Sequence, residues 1–187
     1  MTITGRGRWL VAACLAVIVA LAAAGWQARI HWSARNPRPD LTTTVGSTVT
    51  SHGATFRIDK VQVARQLPAE EQGDPPVKAP AGAVIVLITL TTEIVDDSVK
   101  PDDNLCETTL IDPDGRTWRT GNDDITYNLK RPAALSCAGS SDHRIRAHHP
   151  LQVGFSYLIP ATAADTFRIR MDIGTGGDDD YLVDFTR

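Results

Sequence analysis

Cys106 and Cys137 are the two cysteines of residues 40–187, and their spacing is the first feature of the chain that could carry chemistry. An isolated pair in a domain outside the cytoplasm reads as one disulfide. It would close a loop of about 31 residues, worth roughly 3–4 kcal/mol on the chain-entropy model. The other reading is two unrelated buried thiols. A paired Cys106 and Cys137 leave the body without a thiol nucleophile, and Cys14 lies in an apolar run where it reads as packing.

A second feature is Asp112-Pro113-Asp114-Gly115. A calcium loop of the EF-hand kind needs oxygen ligands at alternate positions and a closing Glu. Arg116 follows the glycine and no such Glu comes after it. A type I turn, with Pro at its second position and Gly as the positive-φ residue, accounts for every residue. Weak calcium candidates lie elsewhere: Asp96-Asp97 and Asp102-Asp103 flank one loop, and Asp178, Asp179 and Asp180 form another. The ordinary reading of those carboxylates is a solvated surface. His143, His148 and His149 have the types for zinc, copper or pH sensing. In extended chain His148 and His149 point to opposite faces, so surface histidines are the default. No Gly-x-Ser-x-Gly, His-Glu-x-x-His or phosphate-binding glycine loop is present. The expectation is a non-enzyme with no cofactor and no committed metal site.

The elements that hold these residues begin with a sharp asymmetry. The chain has 187 residues and a formal net charge of -3, yet every Asp and Glu lies in residues 40–187. Residues 1–39 carry only Arg6, Arg8, Arg29, Arg35 and Arg38. An acidic body argues against nucleic acid, whose phosphates need a basic footprint. Residues 9–26, WLVAACLAVIVALAAAGW, contain no charged residue. Eighteen residues at helical rise cover roughly 27 Å, close to the roughly 30 Å of bilayer hydrocarbon. Trp9 and Trp26 bracket the run as interface anchors. The expectation is a cytoplasmic 1–8, a transmembrane helix 9–26 contacting lipid, a basic linker 27–40 and a domain 41–187. The alternatives are a signal peptide, cut near Ala22-Ala23-Ala24 to leave a secreted protein, and a helix buried in a soluble domain. Arginines on both sides leave the positive-inside rule ambiguous. A disulfide in the body would put the amino terminus inside and the domain outside.

Beyond residue 40 the pattern is β. In 55–64, Phe56 and Ile58 share one parity and Val61 and Val63 the other, so a bulge is expected near Asp59-Lys60. Residues 67–82 read as a Pro- and Gly-rich loop. The run 83–95 is apolar on both parities in its first half, as in a strand deep in a sandwich. Strands are also expected over LCETTLI and RTWRT, and a short one at ITYNL. Leu151, Val153, Phe155, Tyr157 and Ile159 share a face, as do Phe167, Ile169, Met171 and Ile173, and then Tyr181, Val183 and Phe185. Seven to nine short strands with turns between them give an all-β antiparallel sandwich.

Three stretches carry a resemblance: PAGAVIVLITLT, TLIDPDGRTW and HPLQVGFSYLIPATAADTFRI. Together they resemble a family of bacterial extracytoplasmic domains of unknown function, over about residues 45–186. The resemblance implies an immunoglobulin-like β-sandwich behind a lipoprotein signal or one membrane anchor, in Gram-positive bacteria and actinobacteria. It implies no activity, because its motifs are turn and core chemistry. The expected protein is a single-pass cell-membrane module of the envelope that interacts with another membrane or envelope protein. The alternative is an exported protein that binds a small cation or an envelope molecule.

Overall fold

The computed structural model describes residues 5–35, 37–99, 106–120, 128–130, 134, 136–137, 145–174 and 181–187. Two compact units, Met1–Arg38 and Pro39–Arg187, are described separately. The first contains one helix, α1 (Gly5–Arg35). It is longer than the run 9–26 and takes in most of the expected linker 27–40. Residues 27–35 contain no Pro or Gly to break it, whereas prolines at 37 and 39 prevent extension. Its described side chains, 13–29, are exposed, and Leu15, Val17, Ile18, Val19, Leu21 and Trp26 are each more than half exposed.

Among the described residues no helix is long and apolar enough to cross a membrane. The side chains of residues 9–12, Trp9 included, lie outside the described ones. A helix over Gly5–Arg35 thus stands where a transmembrane helix 9–26 is expected, and none of the described residues makes up a span.

The second unit is a β-sandwich. Its strands are β1 (Leu41–Thr44), β2 (Thr48–Ser51), β3 (Ala54–Ala64), β4 (Gln66–Leu67), β5 (Val77–Lys78), β6 (Ala83–Ile94), β7 (Cys106–Ile111), β8 (Thr117–Arg119), β9 (Leu151–Pro160), β10 (Arg168–Ile173) and β11 (Tyr181–Thr186). One sheet has the order β1-β11-β10-β7-β8, the second β2-β3-β6-β9, and β4-β5 is a small ribbon. Pairing is antiparallel except between β1 and β11, which run parallel. The first two strands thus belong to different sheets, and the chain crosses between them at Gly46, whose φ of 93° suits a residue without Cβ.

Alternation decides which side chains meet between the sheets. Val86, Ile88 and Leu90 from β6 and Phe155 and Tyr157 from β9 face Leu110, Ile169, Met171 and Phe185 in one core. In β3 the register slips between Ile58 and Lys60, so Phe56 and Ile58 enter the core from one parity and Val61 and Val63 pack from the other. Two fasteners cross the core. Tyr157 on β9 hydrogen-bonds Thr108 on β7, and burial pushes the Tyr157 hydroxyl's pKa up, against the pull of that bond. Cys106, the first residue of β7, is bonded to Cys137, with Cα atoms 5.4 Å apart. Ala134, three residues before Cys137, bridges to Val153 of β9, so the disulfide ties the β7 sheet to chain lying against the β9 sheet.

The stretch 67–82 is more than a loop. Its ends form the β4-β5 ribbon, and Leu67 joins Leu129, Ile85 and Leu87 in a second cluster, with Val77, Ala79 and Leu158 against it. This cluster covers the outer face of β6. Of the expected strand at ITYNL, residues 125–127 lie outside the described ones, while Leu129 makes a single bridge to Ala69.

Among the described residues two buried side-chain atoms lack a hydrogen bond, Arg168 Nε, which still lies against the Asp184 carboxylate, and Thr92 Oγ1. Thr92, opposite Phe56 and Leu151, is fully buried, and its hydroxyl has no hydrogen bond among the described residues. An unpaired buried hydroxyl costs about 1–3 kcal/mol, and valine has nearly the same shape without it. Thr92→Val should therefore raise unfolding stability by about 1 kcal/mol, read from the urea midpoint at unchanged slope. A destabilised variant would mean that the hydroxyl is bonded in solution.

Candidate functional site

The Asp112–Arg116 turn joins β7 to β8, with Ile111 paired to Thr117. The Gly115 amide donates to the Asp112 carbonyl at 3.0 Å, and Gly115 has φ 81°. The Asp112 amide donates to the Arg116 carbonyl at 3.0 Å. Both Asp112 carboxylate oxygens are engaged: Oδ1 accepts the Arg116 amide at 2.8 Å and Oδ2 accepts Arg116 Nε at 2.6 Å. Asp114 points outward and meets only the far end of the same guanidinium, at 3.3 Å. The Asp-x-Asp-Gly unit is thus closed by its own arginine, which occupies the place a cation would take. Burial pushes the Asp112 carboxyl up, but the amide and guanidinium of Arg116 outweigh it and hold the carboxyl below its usual range.

At one end of the sandwich the β2-β3 turn, His52-Gly53, packs under the loop after β6. The Gly53 carbonyl accepts the amides of Val95 and Asp96 at 2.9 and 3.0 Å. A Cβ on Gly53 would lie 2.6 Å from Val99 and 2.7 Å from Asp96, so only glycine fits. His148 is held there too, its amide donating to Ile94 O at 2.8 Å and its Nε2 lying 3.1 Å from Asp97 Oδ1. His52 and His148 are the described non-glycine residues at positive φ, 49° and 58°. Asp96 spends one oxygen on the Ser98 amide at 2.8 Å, and its carboxyl sits below the usual range through its bonds to Ser98. Asp102, Asp103, Asp178, Asp179, Asp180 and His143 lie outside the described residues. Among the described residues no group of three or more His, Cys, Asp or Glu is placed to hold a metal ion.

An open cleft lies elsewhere in the body, beside the β4-β5 ribbon. Residues 66–74 and Pro76 wall this cleft of about 560 Å³ together with Lys130. Its frame is backbone: the Glu70 amide donates to Asn128 O at 2.9 Å and the Lys130 amide to Pro68 O at 3.0 Å. Leu67, Pro68 and Pro76 give it apolar wall, and its charged lining among the described residues is Glu70, Glu71 and Asp74 with Lys130. The volume suits a small ligand or a few side chains of a partner, and the charge favours a cationic group. Sequence reading missed the cleft because 67–82 looks like linker composition. The signal was in β6: Ile85 and Leu87 lie on the parity opposite Val84, Val86 and Ile88, so both faces of that strand had to be covered.

The turn geometry fixes a pH response. A carboxyl held below its unfolded pKa contributes stability above about pH 4 and loses it as pH falls through the folded value. Asp112→Asn should melt a few degrees below the unaltered chain at pH 7, and the gap should close toward pH 2. A gap that stays constant across that range would contradict the Asp112–Arg116 assignment.

No family model matches the chain, and no curated protein matches it. Three solved structures are similar in fold. An uncharacterised β-sandwich protein from Clostridium difficile is 12% identical, with a TM-score of 0.50 over 81% of this chain and 97% of that one. A conserved hypothetical protein from Bacillus anthracis is 9% identical, with a TM-score of 0.48 over 74% and 93%. The yjhA protein from Bacillus subtilis is 14% identical, with a TM-score of 0.47 over 77% and 99%. At 12% identity the first of these likenesses concerns fold alone, and the fold it supports is the β-sandwich.

Proposed function

We infer that the chain is a single-pass membrane protein, amino terminus inside, whose sandwich lies outside the cytoplasm as an immunoglobulin-like, non-enzymatic interaction module of the cell envelope. The reading is supported by one observation above all. The large apolar side chains Leu15, Val17, Ile18, Val19, Leu21 and Trp26 of α1 are exposed. They belong to a run of 18 residues without a charge. A helix apolar all round needs an apolar medium or an apolar partner. The Cys106–Cys137 bond supports a sandwich outside the cytoplasm in this reading, since disulfides persist on the oxidising side of a membrane. The interaction surface of this reading is the cleft beside β4-β5, where apolar wall and charge lie together.

The full-length chain with a carboxy-terminal tag tests the reading. It should pellet with membranes after alkaline carbonate, and protease added to intact cells should remove the tag. Val17→Lys with Ala20→Lys should release the protein or block its export, since each charge near a bilayer centre costs about 2.5–3.5 kcal/mol on insertion scales. A carbonate-soluble chain whose tag is protected in intact cells would overturn it. A tagged product in the medium that begins after Ala24 would keep the outside location and remove the anchor.

A further inference from the structure

We propose that the parallel β1–β11 ribbon is a mechanical clamp, which takes a pull entering the sandwich at Asp40 as shear across all its bonds at once. In a parallel pair the entry end of one strand and the exit end of the other lie at opposite ends of the ribbon. Leu41 pairs with Val183 and Thr44 with Thr186, so tension between Asp40 and Arg187 runs along both strands. The cross-strand bonds then resist together. An antiparallel pair pulled from adjacent ends would open one bond at a time.

Both ends of the ribbon are fastened without slack. At entry the Asp40 amide donates to Leu182 O at 2.8 Å, and the Leu182 amide donates back to Asp40 Oδ2 at 2.8 Å. The side chain thereby supplies an acceptor one residue before β1 begins. At exit the Val45 amide donates to Thr186 O at 2.9 Å, and the Thr186 hydroxyl donates to Thr43 O at 3.1 Å. The partner strand is braced in turn. Buried Asp184 accepts Arg170 Nε at 2.7 Å from β10, and Arg168 Nε lies 2.9 Å away as a charge contact without hydrogen-bond alignment. Arg187 donates to Ala164 O at 2.7 Å and sits over Phe167, 5.0 Å from the ring centroid. Beyond β1 the Gly46 amide donates to Ile58 O at 3.0 Å, so a pull that broke the ribbon would next meet the other sheet. The clamp follows from strand order and bonds within the sandwich, and it holds wherever the amino-terminal segment is fixed.

Single-molecule stretching of the full-length chain tests this, with the disulfide intact and handles at positions 39 and 187. A second attachment, at 39 and 181, grips adjacent ends of the same ribbon and peels it. Forced unfolding reads the barrier rather than the equilibrium. The 39/187 pair should unfold at no less than twice the force of the 39/181 pair, and equal forces would overturn the proposal. Asp40→Ala with Val45→Pro removes a bond at each end of the ribbon. It should bring the 39/187 force down toward the peeling value, and an unchanged force in a variant with native circular dichroism would also overturn the clamp. Should that variant fail to fold, the two attachment geometries of the unaltered chain still decide.

Discussion

β6 is apolar on both faces, and most of the sandwich can be understood as the covering of that strand. Val84, Val86, Ile88 and Leu90 point into the main core, while Ile85 and Leu87 point the other way. Full burial of an Ile or Leu side chain is worth roughly 1.5–3 kcal/mol, so two of them cannot stand in water on the face of a sheet. The first face is covered by the five-stranded sheet. The second is covered by chain that departs from β3, makes the β4-β5 ribbon, and is pinned by residues 128–130. The cleft is a by-product of this second cover, because a ribbon of two short strands leaves space between its loop and the segment that holds it.

Polar groups act in this fold as fasteners between elements. Tyr157 and Thr108 join the two sheets through the core. Asp184 sits on the outer face of its sheet yet is buried, because Arg168 and Arg170 lie over it. Asp112 is buried at a hairpin tip, and Arg116 answers its charge. In each of these three cases a buried acceptor meets a matching donor nearby, as interiors require. Thr92 departs from this pattern: its hydroxyl, on the core face of β6 itself, has no hydrogen bond among the described residues.

Much of the fold was legible in the sequence because the strands alternate cleanly. The three carboxy-terminal runs showed their core residues directly, and the parity change between Ile58 and Val61 marked the slip in β3. What could not be read was pairing partner and direction. Nothing in LTTT distinguishes a parallel strand on one sheet from an antiparallel strand on the other, since pairing is decided by chain far away in sequence. The end of α1 was misplaced because QARIHWSAR reads by charge as a connector, although no residue in it breaks a helix. The candidate site was the least legible part. The residues with obvious chemistry, at 112–115, are closed on themselves, whereas the cleft is framed by backbone bonds between 68–70 and 128–130 that no composition rule reveals.

A sandwich organised around one doubly covered strand makes a specific demand on its dynamics. The central strand should open only when the whole domain opens, while the edges should fray. Native-state hydrogen exchange of the full chain measures this amide by amide. The amides of residues 85–90 should exchange most slowly, with an opening free energy equal to that of global unfolding, while β1, β8 and the β4-β5 ribbon open at lower cost. Exchange of 85–90 through a local opening, at lower cost than β10 or β11, would contradict it.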